Sequence, residues 1–247
     1  MNSNRPFCLS IGGFDPTAGA GVMADIKTLE QLGVYGMGIL TCNTLQTDDE
    51  FFSVQWKDND LLKVEIETLM AKYNFEAIKI GLIQNFETLS LAINIAREKS
   101  PSIKIIWDPI LKSSSGFEFH SGSTIELDFL EKNCSLITPN WDEFCQLWGD
   151  NPAVLHQRKP RSAILIKGGH RINRTGTDDL FENDKFTEIT GESFGGKSKH
   201  GTGCVLSAAI AAYLATGNSM LTSCSKAKKH VEKFIMSNES NLGYHTI

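Results

Sequence analysis

Gly201-Thr202-Gly203-Cys204 stands directly ahead of the apolar run Val205-Leu206-Ser207-Ala208-Ala209-Ile210-Ala211-Ala212. A glycine-rich turn that opens a helix gathers free N–H groups and the positive helix end at one point, which makes an anion site, and glycine lets a phosphate approach the backbone. Cys204 falls in the first helical turn, where the same dipole favours a thiolate, so a lowered pKa suited to accepting a proton is expected. The plain alternative is a small cysteine packed at a helix start.

Further residues with chemical potential lie where apolar strands give way to helices. Gly12-Gly13-Phe14-Asp15-Pro16-Thr17-Ala18-Gly19-Ala20-Gly21 follows one such strand and matches a dinucleotide fingerprint only in part. In the helix after it Val22, Ile26, Leu29 and Leu32 form an apolar stripe, and Asp25 falls inside it. A carboxylate there requires a polar partner or a ligand, unless it only complements the helix dipole. In Ile137-Thr138-Pro139-Asn140-Trp141-Asp142-Glu143, Asn140 and Glu143 share a helical face. That pair suits Mg²⁺ and its waters, and equally suits a capping box with Asn140 as N-cap. In Ile166-Lys167-Gly168-Gly169-His170 a lysine ends a buried strand, from which it can reach nucleotide phosphates or extend to solvent, and His170 reads as a loop cap. Lys79-Ile80-Gly81-Leu82 and Trp107-Asp108-Pro109-Ile110 offer mostly apolar groups that suit a flat slot for a planar ring, with Asp108 satisfying a neighbouring loop as the plain reading.

Residues at such junctions need a frame that brings the junctions together. Apolar runs at Phe7 to Ile11, Val34 to Thr41, Ala77 to Ile80, Ile103 to Trp107, Ser135 to Thr138 and Ala163 to Ile166 read as strands, several without alternation, as strands covered on both faces should be. Helical patterns alternate with them at Gly21 to Leu32, Asp60 to Tyr73, Phe86 to Lys99, Ser123 to Lys132 and Trp141 to Trp148. Leu180-Phe181 and Phe186 to Ile189, separated by a polar turn, predict a hairpin, and two more helices are expected from Gly203 and over Leu221 to Asn238. The expected fold is α/β, a three-layer doubly wound, mostly parallel sheet with a small β-hairpin, in one domain over residues 1–247. Ligands of such sheets bind beyond the carboxyl ends of the strands.

Composition narrows the class of function. A chain of 247 residues with 41% hydrophobic residues can fill a sizeable core. The net charge of -5 and pI of about 5.7 argue against a nucleic-acid surface, and Lys226, Lys228 and Lys229 read as a solvated helix face. The 6 cysteines (Cys8, Cys42, Cys134, Cys145, Cys204, Cys224) show no zinc spacing, so a reduced, cytoplasmic protein without structural zinc is expected. Met1 to Pro6 lacks the features of a signal peptide, and Val205 to Ala215 is too short to span a bilayer, so neither secretion nor membrane insertion is expected.

Taken in order, these segments resemble the hydroxymethylpyrimidine/phosphomethylpyrimidine kinases of thiamin biosynthesis, a branch of the ribokinase-like superfamily. The resemblance rests on Ile11-Gly12-Gly13-Phe14-Asp15-Pro16 with Gly19-Ala20-Gly21, on Ala24-Asp25-Ile26-Lys27-Thr28, Gly33-Val34-Tyr35-Gly36 and Lys79-Ile80-Gly81, and on Trp107-Asp108-Pro109, Ile137-Thr138-Pro139-Asn140, Lys167-Gly168-Gly169-His170 and His200-Gly201-Thr202-Gly203-Cys204. It covers nearly the whole chain. It implies ATP and Mg²⁺, phosphoryl transfer to the hydroxymethyl oxygen of a 4-amino-2-methylpyrimidine and then onto the monophosphate, and a homodimer. By the same resemblance Gly13, Asp25 and Gln46 contact the pyrimidine, Leu82 and Ile110 wall the slot, and Asn140, Lys167 and His200 meet the nucleotide. Glu143 helps hold Mg²⁺, the N–H groups of Gly201, Thr202, Gly203 and Cys204 stabilise the moving phosphoryl group, and Cys204 occupies the base position.

The chain departs from the family pattern at three places. Thr47-Asp48-Asp49-Glu50 follows Gln46 where Asn-Thr is usual. Lys112 precedes the usual lysine position, which holds Ser114. Trp148 to Arg161 is too short for the full helix the family places there. The competing readings are a pyridoxal or pyridoxine kinase, and a catalytically weak relative that binds the pyrimidine as a sensor.

Overall fold

The computed structural model describes residues 5–112, 119, 125–169, 176–192 and 198–245. Strands and helices alternate in the order β1 (Phe7–Phe14), α1 (Gly21–Gln31), β2 (Tyr35–Gln46), β3 (Phe51–Trp56), α2 (Asn59–Lys72), β4 (Phe75–Ile80), α3 (Phe86–Lys99) and β5 (Lys104–Trp107). There follow α4 (Leu127–Asn133), β6 (Leu136–Ile137), α5 (Trp141–Trp148), α6 (Val154–Arg158), β7 (Ala163–Ile166), β8 (Thr177–Glu182), β9 (Lys185–Thr190), α7 (Thr202–Ala215) and α8 (Met220–Ile235). One 9-stranded sheet has the order β3-β2-β1-β4-β5-β6-β7-β8-β9. Its middle, β2 to β7, is parallel, whereas β3 at one edge and β8 and β9 at the other run antiparallel. The expected three-layer, mostly parallel α/β fold with a hairpin is the fold observed.

Successive residues of the central strands enter two different cores. Leu9, Ile78, Ile105, Ile137 and Ile164 pack with the residues of α2 to α6, while Cys8, Ala77, Ile106, Leu136 and Leu165 pack with those of α1, α7 and α8. Both faces are thereby covered, which explains why these strands read as unbroken apolar runs. Helix α7 is buried from Cys204 to Ala212, and its alanines let it lie against β1, β4 and β5.

Most differences from the expected elements have a local cause. Strand β1 continues through Gly12 and Gly13 to Phe14, because both glycines pair with β2 across a register shift. Strand β3 was not expected; it is half exposed on both faces and pairs with an extended β2. The short stretch after Trp148 holds only the 5-residue α6. Ser114 and His170 lie outside the described residues.

Helices α2, α3, α5 and α8 are capped by the side chains of Asp58, Asn85, Asn140 and Ser219. Helices α1 and α7 begin at Ala20 and Gly201 with no side-chain cap. The chain order also reverses between β1 and β4, the place in such sheets where a crevice opens.

Candidate active site

Two close glycine approaches shape this corner, one joining the start of α7 to the β1–α1 loop and one joining the start of α1 to the end of β1. Gly201 has φ 77°, and a Cβ on it would lie 1.9 Å from the Gly19 carbonyl oxygen. Gly21 has φ 60°, and its Cβ would lie 2.3 Å from the Gly13 carbonyl oxygen. No other residue combines that conformation with that approach. Asp15 ties the two loops: it accepts from the Thr17 N–H (2.9 Å) and hydroxyl (2.8 Å), from the Ala20 N–H (2.8 Å), and pairs with His200 Nε2 at 2.8 Å. Burial works to raise the Asp15 carboxyl, but the hydrogen bonds from His200 and Thr17 outweigh it and hold the group below the usual carboxylate range. Among the described residues the N–H groups of Gly203 and Cys204 have no acceptor. Two free donors at a helix start are the arrangement that an anion site requires.

Cys204 corrects the expectation of a lowered pKa. Burial pushes its thiol up to about 11, with Asp25 and Asp108 adding to the effect and Lys79 and the Gly21 backbone opposing it. Loss of water and two nearby carboxylates outweigh the helix dipole, so the resting group is a neutral thiol.

Beside this turn lies a chain of buried and half-buried charges drawn from helices α1 and α5 and from the carboxyl ends of β4, β5 and β7. Asp25, fully buried, accepts from Ser10 Oγ (2.6 Å) and pairs with Lys79 Nζ at 2.8 Å. Burial opposes the Lys79 ammonium, but the carboxylates of Asp25 and, behind it, Asp108 hold it charged. Asp108, also buried, pairs with Lys167 Nζ at 2.7 Å and accepts from Ser207 Oγ (3.1 Å) and Thr138 Oγ1 (3.2 Å). Burial works against the Asp108 carboxylate, but Lys167 and Lys79 outweigh it and hold it ionised. Lys167 is also 3.8 Å from Glu143. A Cβ on Gly203 would lie 3.5 Å from Lys167 Nζ and 3.7 Å from Asp108 Oδ2, which puts this pair at the free donors of α7.

Asn140 and Glu143 form the capping box that was the alternative reading. Asn140 Oδ1 accepts from the Glu143 N–H (2.9 Å), and Glu143 Oε2 accepts from the Asn140 N–H (2.7 Å). Glu143 is buried, and burial together with Asp108 pushes its carboxyl up to about 7 in spite of Lys167.

The expected slot residues occupy the same sheet edge. A Cβ on Gly13 would lie 3.1 Å from Leu82 Cδ2, and Thr41 Oγ1 holds the Leu82 carbonyl at 2.7 Å. Ile110 Cδ1 would lie 3.7 Å from a Cβ on Gly81. Gln46 stands at the end of β2, where it donates to Thr44 Oγ1 (2.9 Å), which in turn donates to the Phe14 carbonyl (2.8 Å). Asp25 faces Lys79 and Ser10, and the His200 ring faces Asp15. Sequence reading passed over Asp15, Lys79, Thr138 and Ser207 as working residues. A lysine inside the apolar Ala77 to Ile80 run was the available signal, because such a lysine demands a buried partner.

A doubly wound sheet whose carboxyl edge gathers uncapped helix starts, lysines and acids defines an α/β phosphotransferase of the ribokinase-like class. A profile of the phosphomethylpyrimidine kinase family matches residues 15–246. The chain is similar to a hydroxymethylpyrimidine/phosphomethylpyrimidine kinase of Aquifex aeolicus, at 31% identity over 95% of this chain and 96% of the relative. Its fold is similar to the phosphomethylpyrimidine kinase of Clostridium difficile (TM-score 0.76, 26% identity, 93% of this chain and 99% of that one). It is also similar to the pyridoxal kinase of Staphylococcus aureus in complex with ADP (TM-score 0.82, 26% identity, 98% and 92%). The chain belongs to the phosphomethylpyrimidine kinase family. Among the described residues no helix is long and apolar enough to cross a membrane.

Proposed function

We propose that the protein transfers the γ-phosphoryl group of ATP to the hydroxymethyl oxygen of 4-amino-5-hydroxymethyl-2-methylpyrimidine, and then takes the resulting monophosphate as a second acceptor. The observation that carries this reading is the pair of N–H groups at Gly203 and Cys204, without an acceptor among the described residues, beside Lys167 in a chain of this family. In the transfer the alcohol oxygen bonds to the γ-phosphorus, the bond to the β–γ bridging oxygen breaks, and ADP leaves with that electron pair. Such a transfer is served by positioning and charge stabilisation more than by covalent chemistry. The Gly201 to Cys204 turn holds the moving phosphoryl oxygens, with Thr202 in the same turn, and Lys167 exchanges Asp108 for phosphate oxygen. Asn140 and His200 border the nucleotide. Cys204 meets the alcohol from the base position: its thiol first gives up its own proton to solvent, and the small thiolate fraction so formed takes the alcohol proton as transfer proceeds.

Mg²⁺, when bound, neutralises the phosphates of ATP. Glu143 fits it as a carboxylate oxygen ligand, because burial, helped by Asp108 and opposed by Lys167, has pushed its carboxyl up to about 7, and a dication would offset that cost of ionising it. Gly13, Leu82 and Ile110 wall a slot for the flat ring, with Asp25 and Gln46 directed to its polar edge. The protein is further proposed to be one domain, a cytoplasmic homodimer, and to bind neither nucleic acid nor membrane.

The test is incubation of the purified protein with Mg-ATP and the hydroxymethylpyrimidine, with mono- and diphosphate followed by mass. Both products are expected, and no phosphorylated pyrimidine at high enzyme concentration refutes the assignment. The second reading, a pyridoxal kinase, is favoured by the TM-score of 0.82 to the S. aureus enzyme. Faster turnover of pyridoxal in a side-by-side assay would establish it.

A further inference from the structure

Because α7 begins without a side-chain cap, the position of its free donors depends on whatever holds the turn before it. That turn is held by the segment that follows α8. Buried Lys199 donates from Nζ to the Asn238 carbonyl and Oδ1, at 2.8 Å each, and to the Ser240 carbonyl. All three hydrogens of the ammonium are thereby used. The His200 N–H donates to the Asn241 carbonyl at 3.0 Å. Leu242 and the His200 ring close over the β1–α1 loop, since a Cβ on Gly19 would lie 2.7 Å from each.

The segment is itself anchored. Asn238 Nδ2 donates to the Leu242 carbonyl (2.9 Å), the Tyr244 N–H donates to Ser237 Oγ (2.8 Å), and His245 packs on Phe234 with ring centroids 5.0 Å apart. His245 Nδ1 lies 3.4 Å from Thr28 Oγ1 on α1. The segment therefore spans from α8 to α1 and touches both glycine-rich loops on the way.

We propose that residues 238–245 form a clasp that positions the start of α7, with Lys199 as its anchor and as a positioning residue for the Gly203 and Cys204 N–H groups. The functional meaning of the clasp rests on the phosphotransferase reading of that turn, but its position can be tested without any substrate. Lys199→Met keeps the aliphatic stem and leaves three oxygens without their donor, whereas Lys199→Arg keeps charge and donors.

The experiment measures iodoacetamide modification of individual cysteines in the ligand-free protein by peptide mass, with Cys134 and Cys224, both buried, as internal references. Lys199→Met is expected to speed modification of Cys204 by about tenfold, the effect of one or two lost charge-assisted hydrogen bonds, with both references unchanged. Lys199→Arg should stay near the parent rate, and Asn238→Ala should reproduce the Met variant. An unchanged Cys204 rate overturns the proposal. So does equal acceleration of all three thiols, which would mean the segment adds only global stability. If the parent protein phosphorylates no acceptor while Cys204 still responds selectively, the clasp stands and the proposed function falls.

Discussion

The Cys204 thiol provides the sharpest test of the electrostatics described here. Burial moves it from an ordinary 9.0 to about 11. That shift corresponds to about 3 kcal/mol in favour of the neutral thiol. At about pH 7.5 the thiolate population is then about 100-fold below that of an unperturbed cysteine, before any shielding by the fold. Alkylation of Cys204 in the ligand-free protein should accordingly be slow and should rise about tenfold per pH unit from about pH 7 to 10 without levelling. Asp108→Asn removes one carboxylate that raises the thiol, so it should accelerate the reaction at fixed pH. The assay is mass-resolved modification at constant ionic strength. A plateau below about pH 8.5 would refute the reasoning, because it would mean that the helix dipole outweighs burial after all.

Other expectations follow from the same geometry. Cys204→Ala should fold normally and lose roughly 10²- to 10⁴-fold in kcat, the range for a lost acid/base group, and unchanged turnover would reduce Cys204 to packing. Gly201→Ala forces a Cβ to within 1.9 Å of the Gly19 carbonyl oxygen at φ 77°, so thermal denaturation should show a loss of stability above about 2 kcal/mol. Lys79→Met strands the buried Asp25 and should cost roughly 3–5 kcal/mol in chemical denaturation, with much of that recovered when Asp25→Asn is added. The lowered Asp15 carboxyl contributes stability that is complete above its ordinary 3.8 and is lost as pH falls through its folded value, so Asp15→Asn should flatten the acid limb of the stability curve. Glu143 must ionise to hold a dication, so Mg²⁺ dependence should strengthen as pH rises through about 7, and Glu143→Gln should remove that pH dependence.

The layered α/β fold was legible because buried parallel strands and the amphipathic helices that cover them leave distinct traces: strand Ala163–Ile166 and helix Phe86–Lys99 begin and end where the expected patterns do. The strand β3 was not, because Phe51–Trp56 is half exposed and owes its conformation to pairing with β2. The Asn140 and Glu143 box was legible in principle, since capping involves residues one turn apart, and the sequence left it open only against a metal reading.

What the sequence by itself determined was the class of the protein and the identity of its glycine-rich turns, because both depend on residue type and near neighbours along the chain. It also required that Asp25, set in an apolar stripe, find a polar partner. Only the tertiary structure decided that the partner is Lys79, that Lys167 rests on Asp108, and that the segment after α8 holds Lys199. It also reversed the expected direction of the Cys204 pKa. The physical reason is common to all four: desolvation and charge pairing depend on what the fold packs around a group, and those neighbours come from parts of the chain that no local pattern connects.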